Sequence, residues 1–361
     1  MRPKFHTIRV REVRQETPEC VSVAFDVPEA LTNDYRFVPG QYLTLRTDIG
    51  GEDIRRSYSI CSGLDDGELR VAIKRVDRGV FSTWACTSLK PGTDLQVMTP
   101  AGQFACQPDS SARQQYLLVA AGSGITPVMS IARSVLSREP DSEVTLIYGN
   151  RFFNSIIFRE QLEDMKDRYL GRFRVFHVLS GEPNEIPLFH GRIDSAKLES
   201  FCRAFIRLED VDQVYICGPE PMIRSVREFV IAQGKRDDQV HVELFASPGG
   251  APEQIRPQAA EVLRPSGNRC KVSIIYDGQQ TDFEMPLDGT PVLDGARAHG
   301  LDLPFSCKGG MCCTCRAHLD EGQVHMKVNY ALEPGEVEAG FILSCQAEPL
   351  TERVVIDFDK L

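Results

Sequence analysis

Four cysteines near the C-terminus have the spacing of metal ligands. Residues 307–315 read Cys-Lys-Gly-Gly-Met-Cys-Cys-Thr-Cys, so Cys307, Cys312 and Cys315 form a C-x4-C-x2-C pattern, and Cys345 follows after 29 further residues. Thiolates at this spacing bind [2Fe–2S] clusters. Two irons bridged by two sulfides need four thiolates, two on each iron. We therefore predict that these four cysteines ligate a [2Fe–2S] cluster.

Other chemistries of clustered thiols stay open at this point. Zinc also binds four cysteines, but zinc ribbons usually contain two C-x2-C pairs and this chain has one. A Rieske centre needs two histidines, and none is interleaved here. Cys313 and Cys270 are surplus to the ligand pattern. Gly309 and Gly310 allow backbone N–H groups to approach the sulfurs, and such hydrogen bonds help to set a cluster potential.

A second group of residues has the chemistry of a flavin site. The motif Arg56-Ser57-Tyr58-Ser59 ends a predicted strand. An arginine pairs bidentately with phosphate, an aromatic ring can stack near an isoalloxazine, and a serine can hydrogen-bond to its edge. Residues 79–83, Gly-Val-Phe-Ser-Thr, read as a turn that opens a helix, where backbone amides suit a pyrophosphate. An ordinary polar strand end is the alternative for the first motif.

A glycine-rich loop gives a third candidate site. Gly122-Ser-Gly124-Ile-Thr126-Pro127 follows an apolar run and precedes a helical pattern. Glycine permits close backbone approach, and a helix N-terminus favours an anion. The pattern is G-x-G-x-x-P, so the dinucleotide fingerprint G-x-G-x-x-G fits only in part.

Composition excludes several classes of protein. The 361 residues carry a net charge of −10, which argues against a nucleic-acid binder held by phosphate contacts. No apolar stretch approaches eighteen residues, and the N-terminal residues lack an apolar signal region, so we predict neither a membrane nor an export function. Twelve cysteines without an export signal predict reduced thiols and a cytoplasmic location.

The elements that must position these residues fall into three predicted domains. Short alternating runs broken by Pro and Gly predict an antiparallel β-barrel over residues 1–110, with strand candidates at 20–26, 41–47, 56–61, 69–75 and 94–98. Strands that alternate with helices predict an α/β domain with a parallel sheet over residues 111–246, including a helix over 156–169 and a strand over 173–179. Residues 247–267 are rich in Pro and Gly and predict a linker. Residues 268–361 begin with a strand pair and carry −7 of the net charge.

These motifs together resemble the ferredoxin–NADP reductase family. Its second nucleotide marker, C-G-P, occurs as Cys217-Gly218-Pro219 with Met222 at the next helix, and its closing E-x-F occurs as Glu243-Leu-Phe245. The resemblance implies a nicotinamide near Cys217 and a flavin bordered by Phe245, with core packing as the alternative for Phe245. Ser59, Cys217 and Phe245 are the candidate catalytic residues.

The resemblance also implies the cofactors FAD and NADPH, with NADH as the alternative. Arg151 and Ser180 are expected near the adenosine ribose, although Ser180-Gly-Glu departs from the Ser-Arg that NADPH-preferring members often have. The implied cofactor-binding residues are Arg56, Ser57, Tyr58, Ser59, Lys74, Gly79, Val80, Ser82, Thr83, Gly122, Gly124, Ile125, Thr126, Pro127, Arg151, Ser180, Cys217, Gly218, Pro219, Met222 and Phe245.

Residues 270–358 resemble a plant-type ferredoxin, which implies a β-grasp fold. The order of the three domains and the stretch 148–158 look most like the reductases of the phenylacetyl-CoA epoxidase subfamily, which belong to bacterial phenylacetate catabolism. This implies electron transport from NADPH through FAD and the cluster to di-iron oxygenase subunits. The alternatives are a reductase of a ring-hydroxylating or carnitine-type oxygenase, and a redox-sensing electron carrier.

Overall fold

The structure is a computed structural model that describes residues 4–245 and 269–360. These residues form two compact units, a larger one within residues 5–245 and a smaller one that contains residues 269–360. The predicted linker lies outside the described residues. In the part of the chain that is described, no helix is long and apolar enough to cross a membrane.

The N-terminal part of the larger unit is an antiparallel sheet that closes on itself. Its six strands have the order β4-β3-β6-β1-β2-β5. An antiparallel bridge between Ile60 and Val71 joins the end of β4 to β5, which confirms the predicted barrel. The elements are β1 (Phe5–Thr17), β2 (Cys20–Asp26), β3 (Tyr42–Ile49), β4 (Glu52–Ser59), β5 (Leu69–Lys74), α1 (Val80–Thr87) and β6 (Asp94–Met98).

The barrel strands follow the apolar pattern unevenly. β2 and β6 begin and end where the alternation predicts. The thirteen-residue strand β1 was not predicted, because its side chains are mostly polar and exposed or half-buried, with Ile8 and Val10 as its buried apolar residues. Pairing with β2 and β6 on its two sides supplies the hydrogen bonds that hold this strand.

The second part of the larger unit is a parallel sheet flanked by helices, as predicted. The strand order is β11-β10-β7-β8-β9, and every neighbouring pair is parallel. Asp194 caps α4 by accepting a hydrogen bond from the Lys197 amide at 2.8 Å. The elements are β7 (Gln115–Ala121), α2 (Ile125–Arg138), β8 (Glu143–Asn150), α3 (Arg159–Arg168), β9 (Phe173–Leu179), α4 (Ser195–Ala204), β10 (Gln213–Gly218), α5 (Glu220–Ala232) and β11 (Val240–Leu244).

Helix α2 joins the barrel to the parallel sheet. Ser130 Oγ donates to the Ser62 carbonyl at 2.7 Å, and the Leu64 amide donates to Ser134 Oγ at 3.1 Å. Buried barrel residues, including Cys61, share one apolar core with α2. The barrel and the sheet are therefore held as one body, which fixes their loops relative to each other.

The smaller unit is a mixed sheet of five strands with a helix across it, the β-grasp arrangement that was expected. The strand order is β13-β12-β18-β14-β16, and β15 pairs with β17 separately. The β12–β13 hairpin turns at Asp277 and Gly278, which both have positive φ. The elements are β12 (Arg269–Tyr276), β13 (Gln279–Pro286), α6 (Val292–Ala298), β14 (Arg316–Glu321), β15 (Val324–Met326), α7 (Pro334–Glu338), β16 (Phe341–Leu343), β17 (Ala347–Pro349) and β18 (Arg353–Asp357).

Candidate cofactor sites

The four predicted cluster ligands meet in the smaller unit as two pairs of thiols. Cys307, Cys312 and Cys315 lie in the loop between α6 and β14, and Cys345 lies in the turn after β16. The Cys307 and Cys312 thiols are in hydrogen-bonding contact, and so are those of Cys315 and Cys345. A [2Fe–2S] cluster needs two thiolates on each of its two irons, and two pairs of thiols match this requirement. Among the described residues no three His, Cys, Asp or Glu side chains converge on a single ion position.

Backbone amides of the loop point at the ligand sulfurs. The Gly309 amide donates to Cys307 Sγ at 3.3 Å, and the Cys307 amide donates to Cys312 Sγ at 3.5 Å. The neighbouring Cys312 thiol, followed by the backbone amides of Gly309, Met311 and Cys312, lowers the pKa of the Cys307 thiol. Because the thiolate is the metal-binding form, this donor set fits a [2Fe–2S] cluster.

Gly310 shows why the loop needs glycine. Its φ is +76°, and a Cβ there would lie 2.8 Å from the Val328 carbonyl oxygen. The Cys315 thiol, and after it the Gly310 amide, hydrogen-bonds to the Cys345 thiol and lowers its pKa. The prediction that Gly309 and Gly310 bring N–H groups to the sulfurs is confirmed.

The two surplus cysteines of this unit have other surroundings. Cys313 has a φ of +50°, and its Sγ donates to the Ala331 carbonyl at 3.3 Å. Burial raises the pKa of Cys313 to about 12. Cys270 is buried in the core on β12. Neither thiol takes part in the two ligand pairs.

The predicted flavin residues lie at the end of β4 and around the start of α1. Arg56, Ser57, Tyr58 and Ser59 are the last four residues of β4, and Ser59 is buried. Tyr58 is half-buried, with its ring centroid 5.6 Å from that of Phe81. The tyrosine ring thus packs against helix α1.

The turn before α1 is closed by hydrogen bonds of Ser82, a residue in the first turn of that helix. Ser82 Oγ accepts a hydrogen bond from the Val76 amide at 3.1 Å and donates to the Gly79 carbonyl at 3.4 Å. The Ser82 hydroxyl, which was expected to hold the flavin, therefore shapes the turn in this structure. Val80 and Thr83 are exposed at the start of the helix, and the Thr83 amide donates to the Gly79 carbonyl at 3.0 Å.

The glycine-rich loop connects β7 to α2 and packs against β10. A Cβ on Gly124 would lie 2.2 Å from the Cys217 carbonyl oxygen, so a side chain there has no room. Gly122 has a φ of +55°, and the Tyr148 hydroxyl donates to its carbonyl at 2.9 Å. Thr126 Oγ1 donates to the Ser123 carbonyl at 3.0 Å. Ile125, Thr126 and Pro127 are buried in the first turn of α2.

The C-G-P motif lies at the end of β10, against this loop. Cys217 is fully buried, and burial raises the pKa of its thiol. A Cβ on Gly218 would lie 2.7 Å from Met222 Cε, and Pro219 caps α5. The two nucleotide motifs, which the sequence separates by nearly a hundred residues, are thus in direct contact.

Glu243 is a residue of this site to which the sequence reasoning gave no role. It pairs with Cys217 across the parallel strands β10 and β11. Its Oε2 is buried and has no hydrogen-bond partner among the described residues, and burial raises the pKa of its carboxyl to about 8. The E-x-F motif contains Glu243, but the motif predicted a role for Phe245 alone. Phe245 is half-buried against the core that contains α2.

Lys74 links the barrel to the nucleotide loop. It is the last residue of β5, and its Nζ lies 3.9 Å from the position that a Cβ on Gly122 would take. An ammonium group at a glycine-rich loop on a helix N-terminus suits a bound phosphate.

Arg151 and Ser180 are brought together by the loops that follow β8 and β9. The Ser180 amide donates to the Asn150 carbonyl at 2.9 Å, and the Gly181 amide to the Arg151 carbonyl at 2.7 Å. Arg151 and Ser180 are both exposed. Glu182 adds a carboxylate at the same edge, since its Oε1 accepts from the Phe153 amide at 2.7 Å.

Three known domain families match the chain in succession: the oxidoreductase FAD-binding domain at residues 7–106, the oxidoreductase NAD-binding domain at 118–228 and the 2Fe-2S iron-sulfur cluster binding domain at 274–350. This chain belongs to the ferredoxin–NADP reductase family. The reductase is an NAD(P)H-dependent oxidoreductase whose cofactors are FAD and a [2Fe–2S] cluster.

Known relatives resemble the reductase along its whole length. It is 42% identical to a subunit of the 1,2-phenylacetyl-CoA epoxidase of Escherichia coli K12, over 98% of both chains. It is 34% identical to the ferredoxin reductase component of 3-ketosteroid-9-alpha-monooxygenase from Mycolicibacterium smegmatis, over 98% of this chain and 97% of the other. The solved phthalate dioxygenase reductase has the same fold, with a TM-score of 0.58, 23% identity and 98% coverage of each chain.

Proposed function

We propose that the reductase is the electron-supplying component of a cytoplasmic phenylacetyl-CoA epoxidase. In this proposal it takes electrons from NADPH and passes them to the di-iron oxygenase subunits of that system. The observation that carries the proposal is the 42% identity to one chain of a phenylacetyl-CoA epoxidase over nearly the whole of both sequences. The domain limits at residues 1–110, 111–246 and 268–361, with the linker between the last two, are part of the proposal.

The proposed roles of the residues follow from their surroundings. The pyrophosphate of NADPH binds at Gly122–Thr126, where Lys74 Nζ is close to the loop. The nicotinamide lies at the end of β10, next to Cys217 and Gly218. Arg56, Tyr58 and Ser59, with the first turn of α1, hold FAD.

A flavin is needed in this route for a reason of electron count. Nicotinamide transfers two electrons together, whereas a [2Fe–2S] cluster accepts one electron at a time. Bound FAD supplies the chemistry by which the pair of electrons is passed on singly. The protein's part is to hold the nicotinamide and flavin rings together in the larger unit and to hold the cluster by Cys307, Cys312, Cys315 and Cys345.

The alternative acceptor is an oxygenase of another kind. Relatives at 28–34% identity are named reductase components or subunits of 3-ketosteroid-9-alpha-monooxygenase, stachydrine N-demethylase and glycine betaine monooxygenase. A redox sensor without an oxygenase partner is disfavoured, because a sensor needs only the cluster and this chain carries complete FAD-binding and NAD-binding domains.

The deciding experiment reconstitutes the reductase with candidate oxygenases. We expect NADPH oxidation to be stimulated, and coupled to substrate epoxidation, when the di-iron epoxidase subunits and phenylacetyl-CoA are present. A ring-hydroxylating oxygenase with its substrate serves as the control acceptor. Equal or faster turnover with the control oxygenase would remove the epoxidase assignment and leave the reductase activity standing.

The choice of NADPH is tested by anaerobic titration, followed through the flavin and cluster absorption bands. We expect bleaching at lower NADPH than NADH concentrations, and Arg151→Ala to weaken NADPH binding while sparing NADH, because the 2′-phosphate would lose its cation. Arg207→Ala, at an exposed arginine of the same unit, is the control. Equal loss for both nucleotides would contradict the role of Arg151.

A further inference from the structure

Gln346 follows the fourth cysteine, and its side chain turns back onto the ligand loop. The residue is 8% exposed. Its Nε2 donates to the Lys308 carbonyl at 2.8 Å and contacts Cys345 Sγ at 3.6 Å. Since a carbonyl oxygen can only accept, the atom that faces Lys308 must be the amide nitrogen, and this fixes the orientation of the side-chain amide.

The surroundings hold this side chain in one place. The Gln346 backbone amide donates to the Leu343 carbonyl at 2.8 Å, and its backbone carbonyl accepts from the Lys327 amide at 3.1 Å. Gly310 packs on the side-chain stem, since a Cβ there would lie 3.3 Å from Gln346 Cγ. One side-chain NH2 group therefore joins the loop beside Cys307 to the thiol of Cys345.

We propose that Gln346 is a positioning residue of the [2Fe–2S] cluster. Its amide ties the loop of the first ligand to the fourth ligand, and its N–H group, directed at the Cys345 sulfur, raises the reduction potential of the cluster. The physical reason is charge: reduction adds negative charge to the cluster and its sulfurs, and an N–H dipole aimed at sulfur stabilises the reduced form more than the oxidised form. This role does not depend on which oxygenase accepts the electrons.

Two variants of the full-length holoprotein separate the donor from the packing. Gln346→Met keeps an unbranched side chain of similar length without an N–H group. Gln346→Glu keeps the shape but turns a carboxylate oxygen toward the Lys308 carbonyl. Gln279→Met, at an exposed glutamine on β13, is the control. The measurement is a redox titration by visible absorption and electron paramagnetic resonance, with iron and sulfide content determined for each protein.

In Gln346→Met we expect the ratio of reduced to oxidised cluster at a fixed potential to fall about tenfold, equivalent to about 59 mV for a one-electron couple. The flavin potential should stay unchanged, and Gln279→Met should match the wild type. Gln346→Glu should shift in the same direction and further, because it adds a negative charge. A Gln346→Met protein with full cluster content and the wild-type potential would overturn the proposal.

A second measurement uses the wild-type protein, so it tests the role of Gln346 even if the variants lose their cluster. Pulsed electron paramagnetic resonance of the reduced wild-type protein, labelled with 15N in glutamine side chains, should detect a nitrogen coupled to the cluster spin through the N–H···S contact. No such coupling in the wild-type protein would overturn the proposal.

Discussion

The cluster loop and the nucleotide loop are built on opposite principles. At the cluster loop, the proposed ligands are side-chain thiols, and the backbone donates N–H groups to them from Gly309 and Gly310. At the nucleotide loop, the proposed binding groups are backbone amides, and the loop has its shape because Gly124 has no side chain next to the Cys217 carbonyl.

The two regions also shift the pKa of an ionisable group in opposite directions. The Cys307 thiol is in contact with a second thiol and with backbone amides, which lower its pKa. The Glu243 carboxyl beside the nucleotide loop is buried with one oxygen unpartnered among the described residues, and burial raises its pKa. The Cys307 thiol is thus stabilised as an anion, whereas burial favours the neutral form of the Glu243 carboxyl.

The largest expected effect comes from removing one thiol of a ligand pair. Cys345→Ser leaves Cys315 without its partner, and we expect the cluster to be absent while FAD stays bound. Visible absorption and iron analysis should show loss of the cluster bands, and NADPH should still reduce the flavin. Electrons should not reach an external one-electron acceptor of the cluster.

Cys313→Ser is the matched control for that substitution, because Cys313 lies in the same loop but bonds to a backbone carbonyl. It should retain the cluster. Loss of the cluster in Cys313→Ser and its retention in Cys345→Ser would mean that the ligand set is wrongly assigned.

The next effect tests the backbone principle at the nucleotide loop. Gly124→Ala places a methyl group against the Cys217 carbonyl, so the loop must shift. We expect NADPH reduction of the flavin to slow by roughly 100-fold, as for a displacement of about 1 Å in a reacting pair. Stopped-flow absorption measures this rate, and the cluster potential should not change.

Gly335→Ala is the control for the alanine substitution, because a Cβ there meets nothing within 4 Å. Its flavin reduction rate should equal that of the wild type. A wild-type rate in Gly124→Ala would show that the loop can move away without cost and that the contact with β10 is not what shapes it.

The smallest effect concerns the pH dependence of stability from Glu243. Its pKa is about 8 in the folded state against 4.5 ordinarily, so the folded protein keeps a proton that the unfolded chain releases. The free energy of unfolding should therefore fall as pH rises from about 4.5 to about 8, by at most about 5 kcal/mol and by less because the Glu243 side chain is only half-buried. Urea denaturation of the holoprotein at several pH values measures it.

Glu243→Gln should remove most of this pH dependence and stabilise the protein at pH 8, since a neutral amide replaces a buried carboxylate. Glu228→Gln, at an exposed glutamate of α5, should leave the pH profile as it is. Identical pH profiles in Glu243→Gln and the wild type would show that the carboxyl is solvated in the folded protein.

The fold was predictable where the apolar pattern was strong. Strands β2, β6 and β9 were predicted with their observed bounds. Strand β1 was missed because its mostly polar side chains give little alternation. Helix α3 was expected from Ile156 but begins at Arg159, because Phe158 adopts a left-handed φ of +61° that ends the preceding turn.

The site residues were predictable where their spacing along the chain was sufficient, and were not predictable where a contact between distant residues decides their role. The spacing of the four cysteines was sufficient to propose ligands, because the thiols of a short loop are close in sequence. The position of Glu243 at this site depends on its strand pairing with Cys217, which is 26 positions away in the chain. The turn-forming role of Ser82 depends on a bond to the Val76 amide that a sequence motif does not contain.

By itself the sequence determined which chemical groups are present and in what order: thiols at ligand spacing, glycines at two loops, and the succession of barrel, α/β and ferredoxin-like patterns. Only the tertiary structure decided which groups touch. It paired Cys315 with Cys345, set Gly124 against Cys217, and turned Gln346 onto the ligand loop. The reason is that burial and hydrogen bonding depend on distances between residues far apart in the chain, which folding alone establishes.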